Sequence, residues 1–334
     1  MKKTISLLML FVSLYSAGDA QQKTLSEEEE KNMKALAATD TVGWKRGGTL
    51  GLNNTQTYLY QWAAGGNSAI TVTGLVNYFS NYRRGRIAWD NSLNLAYGIL
   101  LQDVDSRAIK IDDRLDLTSK YGMQASKNWF YAVLLNFQTQ FGPGYNSANG
   151  LPDYTNKISD FMSPGRLLIS LGMDYKPNDK FTAFLSPITY RGIFVMDQTL
   201  ADAGAFGVTR EVDSEGLAIA GSGENIRHEV GFYSRTEYKT TLMENITFAT
   251  KLELFSNYLE NPQNVDVSWE NLIAMKINKY FSFSIATQLI YDDNTHVQKE
   301  AAVTDELGII TSPAKTGPGV QFREVAALGI NYNF

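Results

Sequence analysis

A chain of 334 residues with a formal charge of -5, 44% hydrophobic side chains and a mean hydropathy of -0.22 is too polar for a helical membrane bundle. Its 18 tyrosines, 17 phenylalanines and 27 glycines suit strands, aromatic girdles and turns, and lumen-facing residues would dilute the apolar ones of a barrel. The absence of cysteine removes disulfides, thiol nucleophiles, thiolate metal sites and a lipidated cysteine, and mild acidity argues against a nucleic-acid partner.

In chain order, Lys2 and Lys3 precede an apolar run at 5–15, and Gly18, Asp19 and Ala20 then supply small residues for cleavage. The expectation is a Sec-type signal peptide over 1–20, because the run is too short to span a bilayer. Residues 21–42 read as a short periplasmic helix or tether. Ser26 can cap it, Glu27 to Glu30 form an acidic first turn, and Glu27/Lys31 and Glu30/Lys34 are spaced for helical pairing.

From Gly43 to Phe334 the chain divides into alternating segments at 47–60, 67–81, 86–100, 108–122, 127–141, 165–176, 180–195, 225–240, 244–259, 265–278, 281–292 and 320–334. Alternation puts successive side chains on opposite faces of a strand. Connections at 82–85, 122–126, 177–179, 241–243 and 279–280 are short, whereas 142–164, 196–224 and 293–319 are long. Long and short links sorted by parity predict an all-β fold: a transmembrane antiparallel up-and-down β-barrel of about 12 strands, with periplasmic turns and extracellular loops. An open sheet would leave backbone groups unpaired in hydrocarbon, so the sheet must close. Pro187 removes one ladder donor inside 180–195 and predicts a bulge there.

The last segment carries Ala326, Leu328, Ile330, Tyr332 and Phe334 on one face and small or polar residues on the other. This pattern resembles the C-terminal signature of bacterial outer-membrane proteins, with Tyr332 and Phe334 as its closing residues. Inward faces collect charge instead. One row is Lys110, Asp112, Arg114, Asp116 and Lys120, with Thr118 among them; a second is Arg227, Glu229, Arg235, Glu237 and Lys239; a third is Lys251 with Glu253. Smaller contributions come from Arg86, Asp90, Glu270 and Lys276. A charge facing the bilayer midplane costs about 2–4 kcal/mol, so these rows are expected to line the lumen and neutralise one another across strands.

Catalytic constellations are weak. His228 falls on the lipid-facing side of 225–240, and Ser234 lies about 20 Å along the same strand, too far for a hydrolytic pair. His296 sits in the last long loop beside Asp292, Asp293 and Asn294, a set more consistent with a solvated turn than with calcium. The glycines at 142, 144, 204, 207, 216, 221 and 223 lack the strand, glycine turn and helix order of a phosphate loop and read as loop breakers. No enzyme activity, cofactor or metal is expected.

The stretch Gly43-Trp44-Lys45-Arg46-Gly47-Gly48, then Asn53, Gln56, the run Gln61-Trp62-Ala63-Ala64-Gly65-Gly66-Asn67-Ser68 and Trp89-Asp90-Asn91 resembles the Bacteroidota domain-of-unknown-function family 3078. The resemblance extends over nearly all of the mature chain and is strongest over 43–140. It implies an outer-membrane barrel in a Bacteroidota-type envelope and lends no catalytic residues. It also implies association with larger outer-membrane assemblies as one role open to such barrels. The expected surroundings are outer-membrane lipid and lipopolysaccharide, with both termini periplasmic. The expected function is a structural or accessory role with a mostly filled lumen, against a narrow porin for small polar solutes or, third, a barrel lipase.

Overall fold

The structure, a computed structural model, describes residues 42–57, 69–102, 108–148, 151–278, 281–294, 296–300, 303–304, 310–312 and 315–333. The signal-peptide and tether expectations, the run at 61–68 that carries part of the family resemblance, and Phe334 lie outside these residues. Twelve strands form one closed antiparallel barrel. They are β1 (Gly43–Thr57), β2 (Ala69–Arg84), β3 (Ile87–Gln102), β4 (Ile109–Gln124), β5 (Trp129–Thr139), β8 (Gly165–Asn178), β9 (Phe181–Phe194), β10 (Ile226–Met243), β11 (Ile246–Asn257), β12 (Asp266–Lys276), β13 (Phe281–Tyr291) and β18 (Gln321–Asn333). Each expected segment corresponds to one wall strand, and each strand pairs with its neighbour in the chain until β18 returns to β1.

The alternation explains why this sheet is stable in lipid. Leu50, Leu52, Tyr97, Leu117, Tyr131, Leu171, Leu328 and Ile330 are exposed on the outer wall, while Thr49, Asn77, Asn94, Ser170 and Asp174 on the opposite parity are buried. An apolar outside and a polar inside is the inverse of a soluble sandwich. Near the short-turn end, Trp44 packs on Tyr82 and Trp89 with ring centroids 5.2 and 5.6 Å away, and Trp89 meets Tyr121 at 6.5 Å. These outward rings continue across β1 to β4 as an interfacial girdle. The β1 start, the β18 end and all five short turns share this end of the barrel, the periplasmic end in a barrel of this type.

The bulge expected at Pro187 is present. Thr189 of β9 faces Gly231, but Ser186 faces Tyr233, and on the other side Ile188 faces Leu171 while Leu185 faces Met173. Proline has no N–H for the ladder, so the chain detours around it. A second bulge lies in β4, where Lys110 faces Ile99 but Asp112 faces Gly98, leaving Ile111 as the extra residue.

The long connections carry secondary structure of their own. After β5 comes a hairpin of β6 (Gly144–Ala148) and β7 (Leu151–Ser159). After β9 come the helix α1 (Gln198–Asp202) and a short 3-10 turn at Ala205–Gly207. After β13, β14 (His296–Glu300) pairs with β17 (Lys315–Pro318), and β15 (Val303–Thr304) with β16 (Ile310–Ser312). Val195, Leu200, Ala201 and Val208 form a small core of their own, capped by Asp197, whose carboxylate accepts from the Leu200 N–H at 3.1 Å. Lys157 joins the two loops, 2.8 Å from Asp160 and 2.7 Å from Asp197.

That clasp makes the outer loops acid-sensitive. Partial burial raises the Asp197 carboxyl, but the Lys157 hydrogen bond, the Leu200 and Thr199 amides and the Lys157 charge outweigh it and hold it below the usual carboxylate range. Its stabilising effect is therefore complete above the unfolded carboxylate pKa and is lost as pH falls through the lower folded value. Limited proteolysis of detergent-folded protein at pH 6 and pH 3 should show cleavage near 195–205 rising at the lower pH. Asp197→Asn should cleave similarly at both, and an unchanged wild-type pattern would refute the assignment.

Candidate functional site

The inward side chains of the barrel wall form linked ion-pair groups, each assembled by strand register. One rung runs Glu237, Lys251, Glu270, Gln288, Arg323 across β10, β11, β12, β13 and β18. Opposite charges facing each other across a rung attract, so the sign sequence suits the geometry. Lys251 Nζ lies 2.9 Å from Glu270 and 3.0 Å from Glu253; Gln288 donates to Glu270 at 3.4 Å. Arg235 Nε donates to Glu237 at 2.6 Å and its head lies 3.8 Å from Glu253.

Toward the loop end, Glu229 is completely buried between Arg191 and Arg227, with Arg227 at 2.5 Å. Arg191 also reaches Asp266 at 2.6 Å and stacks over the Phe255 ring, 3.8 Å from its centroid. Toward the short-turn end, Lys120 and Lys176 lie 2.9 and 3.0 Å from Asp174, and Arg83 lies 2.5 Å from Asp90. Between these groups sits an apolar knot of Ala132, Leu134, Phe184, Tyr233 and Phe255, inward residues of β5, β9, β10 and β11.

The β4 row divides. Asp116 is wholly buried and accepts from Asn136 at 2.8 Å and Gln138 at 3.3 Å. Arg114 is 3% exposed, and its Nε and Nη1 have no hydrogen-bond partner among the described residues. Asp112 shares its strand face. Lys110 departs from that face: the extra residue Ile111 breaks the alternation, and the Lys110 amine instead meets Asp113 at 2.8 Å, Gln140 at 3.0 Å and the Gly142 carbonyl at 2.7 Å. Lys239 is buried on β10. Tyr332 lies in β18, on the parity of exposed Leu328 and Ile330.

Sequence reasoning missed Asp174 and Lys176, although their i, i+2 spacing in 165–176 was a readable signal. It also missed Arg191, for which no such signal existed. Before the Pro187 bulge the inward residues are Thr182, Phe184 and Ser186; after it they are Thr189, Arg191 and Ile193. His228 is exposed on the outer wall and its Nδ1 lies 2.8 Å from the Tyr190 hydroxyl. Asp293 is held by Asn264 at 2.6 Å, and among the described residues no group of three or more His, Cys, Asp or Glu is placed for a metal ion.

At the short-turn end the lumen opens into a cavity of about 710 Å³. Arg83, Lys120, Lys176 and Arg235 line its inner part and Arg84, Arg86 and Lys127 its mouth, against Asp90, Asp179 and Glu237. Leu134 and Phe184 of the apolar knot form its floor.

A closed twelve-stranded ring with an apolar outer wall and buried charge inside defines a β-barrel of outer-membrane type. Residues 54–145 match the family model described as "Protein of unknown function (DUF3078)". The matched stretch contains Gln56, the run at 61–68 and Trp89-Asp90-Asn91, the later residues of the resemblance seen in the sequence. Among solved structures it is similar to an outer membrane channel from Pseudomonas putida F1, with 12% identity and a TM-score of 0.39 over 89% of this chain and 97% of that one. It is also similar to the translocator domain of the autotransporter NalP from Neisseria meningitidis, with 9% identity and a TM-score of 0.38 over 92% and 94%. Neither likeness bears on function. No curated protein matches the sequence.

Proposed function

We propose that this is a sealed outer-membrane barrel: a lipid-embedded anchor that carries a folded loop assembly on its outer side and serves as a structural or accessory subunit. The observation that carries this reading is the dryness of the inward side chains. Phe184 is 1% exposed, Leu134 2%, and Asp116 and Glu229 0%, whereas a water-filled lumen would leave such positions wetted. Paired charges and an apolar knot at the inward positions of β4, β5 and β8 to β12 support the same reading. The outer wall meets lipid and lipopolysaccharide, and protein partners would meet the loops or the periplasmic mouth.

A narrow channel is the competing reading, favoured by one arc of the wall. There the inward positions are small, Ser282, Ser284, Ala286, Val325 and Ala327, and Arg114 faces the lumen without a hydrogen-bond partner for its Nε and Nη1. Planar-bilayer recording of purified protein separates the two. The sealed barrel should give no discrete openings; repeated steps of fixed unit conductance would overturn it in favour of the channel.

A further inference from the structure

Cations elsewhere inside this barrel are answered by a carboxylate: Lys120, Lys251, Arg191 and Arg227 each lie 2.9 Å or less from one. Two guanidiniums in the loop-side half of the wall are not. Arg114 of β4 is 3% exposed, and its Nε and Nη1 have no hydrogen-bond partner among the described residues. Arg323 of β18, inward by the parity of Val325 and Ala327, enters no hydrogen bond or close ion pair among the described residues either. It lies close enough across the lumen for the charges of Arg114 and Asp112 to act on it. Asp112, the acid between them in charge, makes no hydrogen bond to either head among the described residues.

A guanidinium does not give up its proton in a protein, so burial cannot neutralise it as it can a lysine. A dry, permanent cation without a partner is costly, and a counter-ion is what relieves it. Two arginines against one aspartate leave a surplus of one positive charge. The planar fork of donors on each arginine matches a carboxylate, which takes two parallel hydrogen bonds. Asp112 puts a negative charge in the same place and so repels a ligand that carries a second one. Neighbours across the ladder are small: Ala96 faces Arg114, and Ser284 and Ala286 face Ala327 and Val325, the next inward residues after Arg323.

We propose that Arg114 and Arg323 together bind a small monocarboxylate in the loop-side half of the lumen, with Asp112 restricting the site to a single negative charge. This goes beyond the sealed-barrel reading and is independent of it. A pocket that ends on the apolar knot takes up an anion without passing it, and a conducting lumen would hold the same ion in transit. Bilayer currents test the one and ligand binding tests the other.

The full chain, folded in detergent and checked for a heat-modifiable barrel, is added to 13C-labelled acetate at fixed ionic strength, and the linewidth of the carboxylate carbon is compared with detergent alone. Wild type should broaden the line; unlabelled propionate should reverse the broadening, and sulfate, a dianion, should not. Arg114→Met and Arg323→Gln should each weaken binding by roughly tenfold or more, the scale of losing one partner of a desolvated charge pair. Arg114→Met deletes a buried charge that has no hydrogen-bond partner at two of its nitrogens, so it should fold at least as well as wild type, which separates lost binding from misfolding. Asp112→Asn acts in the opposite sense: acetate should bind several-fold tighter and sulfate should begin to compete. Wild type that leaves the line unchanged would overturn the proposal. So would equal broadening by wild type and both arginine variants, or sulfate competing as well as propionate against wild type.

Discussion

Replacing Glu229 by alanine should destabilise the folded barrel by about 3–5 kcal/mol, read as a lower urea midpoint for loss of the heat-modifiable form. Glu229 is fully buried between two guanidiniums, so its removal leaves Arg191 with Asp266 alone and Arg227 with only the more distant Glu260, and the under-compensated buried charge is the source of the cost. Glu229→Gln keeps the volume and most hydrogen bonding while deleting the charge. It should therefore fall well below wild type, distinguishing charge from packing. A change under about 1 kcal/mol, the range of solvent-exposed pairs, would mean that water reaches this part of the lumen and would weaken the sealed-barrel reading with it.

The second large effect is expected at two glycines beside the Pro187 detour. A Cβ at Gly172 would strike the Leu185 carbonyl oxygen and come within 2.8 Å of Ser186 Cα; one at Gly231 would strike the Ser256 carbonyl oxygen and lie 2.9 Å from its carbon. Both obstacles are backbone fixed in the ladder, so no side chain can swing aside. Gly172→Ala and Gly231→Ala should each cost about 3 kcal/mol or prevent assembly, the upper end for overpacking. Gly122→Ala is the control. Its nearest neighbour would be 3.7 Å away, and it should be neutral or slightly stabilising because a strand alanine loses less entropy than glycine. If all three variants behaved alike, the close approaches of β8 to β9 and of β10 to β11 would be wrong.

These two sites also mark where the sequence stops being readable. Period-two counting located all twelve wall strands, because lipid outside and charge inside impose opposite chemistries on alternate residues over long spans. Parity of loop length supplied the topology independently. The same counting fails across an extra residue. Pro187 announced its bulge chemically, yet the inversion it causes hid Arg191; Ile111 announced nothing, and so Lys110 was assigned to a row it leaves. The loop architecture was hidden for another reason. Its short strands and five-residue helix are held by local contacts such as the Asp197 cap and the Leu200 cluster, which lack the length that makes a period visible. Partners within the lumen, such as Lys120 of β4 with Asp174 of β8, come from strands that flank a third, β5, so neither strand's own alternation names its partner.

The join between first and last strands has a consequence for the surrounding lipid. Only Thr49 to Asn53 of β1 face Asn333 to Gly329 of β18, whereas β2 and β3 are matched from Ala69 and Gln102 down to Arg84 and Ile87. A strand needs about 9–11 residues to traverse the hydrocarbon, so the zipped part of this join covers roughly half that thickness. Above Asn53 and Gly329, acyl chains would confront amides with no β-ladder partner across the join among the described residues. This join is the shortest of the barrel's strand pairings among the described residues, and so the flank where a bilayer of full thickness would be matched least well.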